Sequence, residues 1–165
     1  MRHVSVVILT YWSLLMIGCG STTGENDDSD VARSAGETVV IAVDHRTQWR
    51  ELRIEGVTDL PDGAVVSYRV THALTAQLPP SEWPAKNLIA DGTAAVETGH
   101  YWARFNTTYW PAGAVRVQVR FPVAPQPDAI RARYGEFGEQ LVGSNVTTLG
   151  GSKVVTAEHA LDWTR

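Results

Sequence analysis

The sequence predicts an all-β fold in which two antiparallel sheets pack face to face. Three observations predict this fold: short runs with alternating apolar residues, turn signals between these runs, and little helical periodicity. The clearest run covers 115–121, where Val115, Val117, Val119 and Phe121 alternate with polar residues. Alternation of period two places one side of a strand in the core and the other in solvent. Many such runs with turns between them favour a sandwich, with a barrel or jelly roll as the alternative.

Other segments share the β pattern to different degrees. Pro61 restricts φ and Gly63 can adopt positive φ, so 60–64 is predicted to be a turn between strands. A phase slip within 49–57 suggests a bulge there. The remaining predicted strands are 37–43, 49–57, 64–72, two short strands within 93–105 around Thr98 and Gly99, and a closing strand or pair of strands within 153–163.

Two segments depart from the β pattern. Residues 77–87 contain three prolines, which exclude them from a central strand and predict a loop. Within 125–143, apolar residues spaced by four, three and four predict a short amphipathic helix after Pro127. Gly135 and Gly138 oppose that helix, each by about 1 kcal/mol relative to alanine. An immunoglobulin-like Greek key with one short helix is the arrangement we expect. The four spaced residues are Ile130, Tyr134, Phe137 and Leu141.

The N-terminus has the layout of an export signal. Arg2 precedes an apolar run from Val4 to Ile17, which is followed by Gly18 and by Cys19, the only cysteine in the chain. The run is shorter than the roughly 20 residues that a membrane-spanning helix needs. A plain cleaved signal is the alternative, although Met16 is bulky where small residues are preferred. Cys19 directly after Gly18 resembles the bacterial lipoprotein signal, which implies cleavage after residue 18 and lipidation of Cys19.

The composition divides the rest of the chain into a tether and a domain. Residues 19–36 are small, polar and acidic, so we expect the lipidated cysteine to be followed by a flexible tether. Residues 37–165 are long enough for one sandwich domain. The formal net charge of −4 argues against a nucleic-acid partner, because phosphate binding needs clustered basic residues. The membrane, reached through Cys19, is the predicted partner surface.

Three further stretches carry a resemblance to a known group of proteins. Residues 54–70 contain the LPDG turn, 109–121 contain the alternating strand, and 126–143 begin with Gln126 and Pro127 and continue to a G-x-x-G-E-x-L-x-G run. This chain is similar to uncharacterised bacterial lipoproteins with a single immunoglobulin-like domain. Asp59 and Ala64 replace the asparagine and threonine usual in that group's turn. The resemblance implies location in the cell envelope and carries over no catalytic or ligand-binding residue.

The titratable residues show no pattern of a catalytic or metal site. The histidines of the predicted domain are far apart in sequence, and a zinc site needs three or four converging ligands. We therefore predict no metal, no cofactor and no catalytic residue. Asp59 and Asp62 flank Pro61 and could bind calcium, but aspartate is also a common turn residue, which is the interpretation we favour. The four histidines are His45, His72, His100 and His159.

Aromatic residues are the candidate binding residues. Tyr109 and Trp110 precede a turn, and Trp83 lies in the proline-rich loop, so an exposed set could stack on sugar rings or anchor a protein. The interpretation we favour is that these rings fill the ends of the sandwich. Tyr101 and Trp102 are adjacent in one predicted strand, so at most one of them can lie in the core.

The sequence thus predicts a non-enzymatic structural or protein-interaction module. It is anchored by lipid in the bacterial cell envelope, at the outer membrane where the organism has one, because Gly20 replaces the aspartate linked to inner-membrane retention. One alternative is a carbohydrate-binding module using Trp83, Tyr109 and Trp110. Another is a hydrolase built on His100 or His159, which would need a pocket with the histidine within about 3.2 Å of a nucleophile or carboxylate.

Overall fold

In the computed structural model, which describes residues 36–164, the chain forms two antiparallel sheets. The smaller sheet contains, in order across it, β1 (Asp44–Gln48), β2 (Glu51–Val57) and β5 (His100–Asn106). The larger sheet contains, in order across it, β4 (Ile89–Ala95), β3 (Val65–His72), β6 (Gly113–Phe121), β8 (Ser152–Trp163) and β7 (Val146–Leu149). Helix α1 covers Asp128–Tyr134, and 3-10 turns cover Ala73–Ala76 and Pro80–Glu82.

The chain passes repeatedly between the two sheets. It leaves the smaller sheet after β2, forms β3 and β4 in the larger sheet, returns for β5, and crosses again to β6. All neighbouring strands pair antiparallel. This alternation between layers is the connectivity of immunoglobulin-like sandwiches. The prediction of an all-β immunoglobulin-like sandwich with one short helix is confirmed.

The core lies between the sheets and follows the predicted alternation. The four apolar residues of β6 are at most 2% exposed, and β2 contributes Leu52 and Ile54 from the opposite sheet, both fully buried. The Tyr68 ring of β3 meets the Phe105 ring of β5 edge to face at 5.2 Å, a contact between the sheets. Each buried aliphatic side chain of this size contributes roughly 1.5–3 kcal/mol.

Residues 37–43 do not form the predicted strand. They make isolated bridges instead, with Glu37 opposite Leu141 and Ile41 opposite Thr58. Side chains satisfy the backbone of Val40, since its N–H donates to Asp59 Oδ1 at 2.8 Å and its carbonyl accepts from Thr58 Oγ1 at 2.7 Å. The backbone of Val40 is therefore not paired with a neighbouring strand, although Val39 and Ile41 on either side of it are buried.

The edge strand β1 was not predicted because its residues, DHRTQ, lack an apolar alternation. It forms a hairpin with β2, in which Gln48 pairs with Glu51 and only Trp49 and Arg50 make the turn. Arg50 has a φ of 62°, an uncommon conformation for a non-glycine residue. Thr107 N–H donates to the Arg50 carbonyl at 2.9 Å and holds the turn in place.

The other predicted turns and the helix agree in position and differ in extent. Gly63 has a φ of 83°, and the predicted turn around Thr98 and Gly99 joins β4 to β5. Helix α1 ends after Tyr134 because Gly135 has a φ of 86°, so the helix is shorter than the apolar spacing suggested. Consequently Phe137 lies outside the helix and is 57% exposed.

Gln126, the first residue of the 126–143 stretch, has a structural role. Its side-chain Oε1 accepts from Val65 N–H at 2.9 Å, and its Nε2 donates to the Val65 carbonyl at 2.6 Å. Gln126 therefore pairs with the first residue of β3 as a neighbouring strand would. Further along, Lys153 Nζ donates to the Glu139 and Leu141 carbonyls, which attaches the G-x-x-G-E-x-L-x-G run to the start of β8.

The predicted leader and Cys19 lie outside the described residues, as does almost all of the predicted tether. Between residues 36 and 164, no helix combines the length and the apolar content needed to cross a membrane.

Candidate functional site

An open groove of about 740 Å³ lies beside the β1–β2 turn. Its walls come from that turn, from the segment after β5 and from the end of β8. The hydrogen bond from Thr107 N–H to the Arg50 carbonyl joins the first two of these segments. The residues that contribute most of its ring and hydroxyl groups are Trp49, Thr107, Thr108, Tyr109, Trp110 and Trp163.

Two aromatic side chains on the groove are strongly exposed. Trp49 is 81% exposed and Tyr109 is 72% exposed, more than any other large apolar or aromatic residue in the described part of the chain. The guanidinium carbon of Arg50 lies 4.0 Å from the centroid of the Trp49 ring. A guanidinium at this distance makes a cation–π contact worth roughly 0.5–1 kcal/mol at an exposed site, so it favours this orientation of the indole.

The two remaining tryptophans of the groove are buried beneath its surface. Trp110 is 1% exposed and Trp163 is 3% exposed, and their rings pack edge to face at 6.1 Å. Trp110 also contacts the His72 ring at 5.7 Å and donates from Nε1 to Asn87 Oδ1 at 3.1 Å. These contacts join β3, β8 and the proline-rich loop, so the groove has a packed base.

The three predicted binding aromatics, Trp83, Tyr109 and Trp110, differ in their exposure to solvent. Tyr109 is exposed, as the prediction required. Trp110 is buried and cannot offer a face for stacking, which agrees with the interpretation that it fills an end of the sandwich. Trp83 is half-buried, packs against the core and donates from Nε1 to the Leu78 carbonyl at 2.9 Å. The exposed platform of Trp83, Tyr109 and Trp110 that the carbohydrate-binding alternative required is therefore not formed.

Trp49 is the exposed ring on the groove that sequence reasoning did not select. It follows a polar segment with no strand pattern, so the hairpin turn that presents it could not be identified. The prediction that at most one of Tyr101 and Trp102 lies in the core is confirmed, since Tyr101 is 1% exposed and Trp102 is 50% exposed. Burial raises the pKa of Tyr101, whose hydroxyl donates to the Ala42 carbonyl at 2.7 Å.

Two polar atoms in residues of the groove wall are buried without a hydrogen-bond partner in the protein. They are the Thr107 hydroxyl and the indole Nε1 of Trp163. An unsatisfied buried polar group costs about 1–3 kcal/mol. Both atoms lie beneath the groove surface, so they lower the stability of the base and do not face a molecule in the groove.

The predicted turn carboxylates serve the backbone. Asp59 Oδ1 accepts from Val40 N–H, and Asp62 Oδ1 accepts from Thr98 N–H at 2.7 Å. Each carboxylate therefore fixes a neighbouring segment, as the turn interpretation implied.

The histidines fall into three environments. His72 is buried, with Nδ1 accepting from Leu74 N–H and Nε2 facing the Pro111 carbonyl at 3.2 Å, so it is a structural residue. His100 is exposed. His45 and His159 contact each other. Within residues 36–164, the one histidine–carboxylate pair closer than 4 Å joins His45 to Asp44 at 3.8 Å, longer than the hydrolase alternative requires.

Comparison with protein-family models, with curated proteins and with solved structures finds no match for this chain.

Proposed function

We propose that this protein is a lipid-anchored envelope protein whose sandwich domain binds a protein partner through the groove and catalyses no reaction. The observation that carries the proposal is that Trp49 and Tyr109, the two most exposed large rings of the described residues, line the same groove. Each such ring can bury about 150–250 Å² in an interface. Tryptophan, tyrosine and arginine are also the residues that dominate binding energy in protein interfaces.

The groove is suited to association because contacts within the domain favour the present positions of its tryptophan rings. The Arg50 guanidinium orients Trp49, and the Trp110–Trp163 pair supports the base from below. Fixing side chains before binding reduces the entropy lost on association. The groove lining, as described, consists of aromatic, threonine, glutamine, arginine and proline side chains. Such groups provide contact and hydrogen bonding rather than acid–base chemistry.

Photo-crosslinking in intact cells tests the binding proposal. A benzophenone amino acid in place of Tyr109 is expected to give a discrete protein adduct, because the ring stands at the groove opening. Trp49→Ala should weaken that adduct by at least about tenfold, a loss of roughly 1.4 kcal/mol or more.

The matched control is the same photoreactive residue in place of Trp102, an exposed ring on the outer face of β5. The centroid of the Trp102 ring lies 5.0 Å from the guanidinium carbon of Arg53 and 5.1 Å from that of Arg104, so this ring makes contacts within the domain. We expect no such adduct there. An equal adduct from position 102, or one unaffected by Trp49→Ala, would contradict the proposal.

A glycan is the second candidate ligand. It is favoured by the combination of the exposed rings with the polar side chains of Thr47, Gln48 and Thr108 in the same lining. Sugar rings pack on aromatic faces while their hydroxyls form hydrogen bonds. Titration of the protein with soluble cell-wall oligosaccharides, followed by tryptophan fluorescence, distinguishes the two. A saturable change that Trp49→Ala abolishes, without a protein adduct in cells, would favour the glycan.

The anchor makes a separate prediction. Cys19→Ser should move the protein from the membrane fraction to the soluble fraction, because a lipid chain contributes about 0.8 kcal/mol per buried methylene and the variant has no thiol to modify. Ser21→Ala is the control and should stay with the membrane. Unchanged fractionation of Cys19→Ser would refute lipid anchoring without bearing on the groove.

A further inference from the structure

Two histidines from different sheets meet at one seam of the sandwich. His45 lies on β1 in the smaller sheet, and His159 lies on β8 in the larger sheet. His45 Nδ1 is 2.8 Å from His159 Nε2, with ring centroids 4.9 Å apart. The two residues are 114 positions apart in the chain, so only the fold brings them together.

The topology explains why this seam is open. Strand β1 is an edge strand that pairs only with β2. Strand β7 pairs with β8 only up to Val155, so the rest of β8 has a free edge on that side. His159 belongs to the same alternating row of β8 as the buried Leu161 and Trp163. An imidazole thus occupies an inward row where apolar side chains are otherwise buried.

A carboxylate completes a group of three donors. Asp44 Oδ1 lies 3.8 Å from His45 Nδ1 and accepts a hydrogen bond from His45 N–H at 2.7 Å, which orients the carboxylate. One donor atom from each of Asp44, His45 and His159 lies within 4.8 Å of the other two. The side chains of His45 and Asp44 are 30% and 76% exposed, so an ion can reach the group from solution.

We propose that Asp44, His45 and His159 form a zinc-binding site that joins the edges of the two sheets. Zinc binds imidazole nitrogen at about 2.0–2.1 Å and carboxylate oxygen at about 2.0–2.2 Å. Tetrahedral geometry at these lengths separates donors by about 3.3 Å. The imidazole nitrogens need to separate by about half an ångström and the carboxylate to move inward, within the reach of side-chain rotation.

The donor set selects the class of metal. Two imidazoles and one carboxylate suit zinc, whereas calcium and magnesium prefer ligands that are all oxygen. The Nδ1–Nε2 contact requires one proton between the two rings, and zinc would take the place of that proton as their link. Three protein ligands leave the fourth position to water or to a donor from another molecule. Because zinc binds the folded domain, it should stabilise β1 against β8.

Isothermal titration calorimetry of the untagged full-length chain in detergent, after chelator treatment, tests the proposal with zinc chloride as the probe. We expect one equivalent of zinc to bind. His45→Gln and His159→Gln should each weaken binding by more than the roughly 10–100-fold seen when a supporting residue of a metal site is lost. His100→Gln, which removes an exposed histidine of the same sheet that is not one of the three proposed ligands, should bind zinc like the unmodified chain.

Two further measurements distinguish a lost site from a lost fold. Circular dichroism should show the same β signal in all three variants, since His45 and His159 are only half-buried. X-ray absorption of the zinc-loaded chain should show two imidazole ligands and one or more oxygens at about 2.0 Å. The proposal is overturned if the unmodified chain binds no zinc, if either histidine variant binds it equally well, or if His100→Gln loses as much affinity.

Discussion

Val117→Asp is expected to remove most of the stability of the domain and to move its urea midpoint far below that of the unmodified protein. Val117 is fully buried at the centre of β6, between β3 and β8. The substitution removes roughly 1.5–3 kcal/mol of apolar burial and places a carboxyl group without a partner in the core, at a cost of several more. Small domains are stable by only about 5–15 kcal/mol, so the two terms together consume most of that margin.

Arg116→Asp is the matched control for this experiment. Arg116 is the preceding residue of β6, and its side chain lies on the exposed face. The same aspartate there should change the unfolding free energy by at most about 0.5 kcal/mol. Urea denaturation followed by tryptophan fluorescence measures both variants. A folded Val117→Asp with an unchanged midpoint would mean that this row of β6 does not face the core.

Trp110→Ala is expected to destabilise the domain by about 3–5 kcal/mol and to lower its melting temperature by about 10–20 °C. Trp110 is the largest fully buried side chain of the described residues. Its removal leaves a cavity against the rings of His72 and Trp163, and leaves Asn87 Oδ1 without the indole donor. Because Trp110 forms the base of the groove, the variant should also lose the Tyr109 crosslink.

Trp102→Ala provides the comparison, since it deletes the same side chain from a half-exposed position. Its cation–π contacts with Arg53 and Arg104 are worth about 0.5–1 kcal/mol each, and we expect a total loss of at most about 2 kcal/mol. Differential scanning calorimetry of the two variants gives the ranking directly. Equal losses would show that the base of the groove is not tightly packed.

Period-two alternation was the most dependable guide from sequence to structure. It identified β3 and β6 because each has one largely buried and one solvated face, and a register error would expose the whole apolar set. It missed β1, whose residues are all polar or charged and whose pairing depends on β2. It also marked 37–43 as a strand, where the side chains of Thr58 and Asp59 take the place of a neighbouring strand.

The candidate site was less predictable because it depends on contacts between segments far apart in the chain. Composition showed that several tryptophans were available, and the turn predicted at 111–113 placed Tyr109 at an end of the domain. The sequence could not predict whether Trp83 and Trp110 are exposed, because a tryptophan ring can either fill an end of the sandwich or lie at its surface. The Trp49 ring is presented by a hairpin whose first strand has no sequence signal.

The amino-acid sequence alone determined the class of fold, most strands of the larger sheet and the turn at Gly63, because these follow from local alternation and backbone preference. Tertiary structure decided which rings are exposed together and which histidines meet. The physical reason is that these contacts join residues far apart in the sequence. His45 and His159 are 114 residues apart, and their 2.8 Å contact exists only because the two sheets place their free edges side by side.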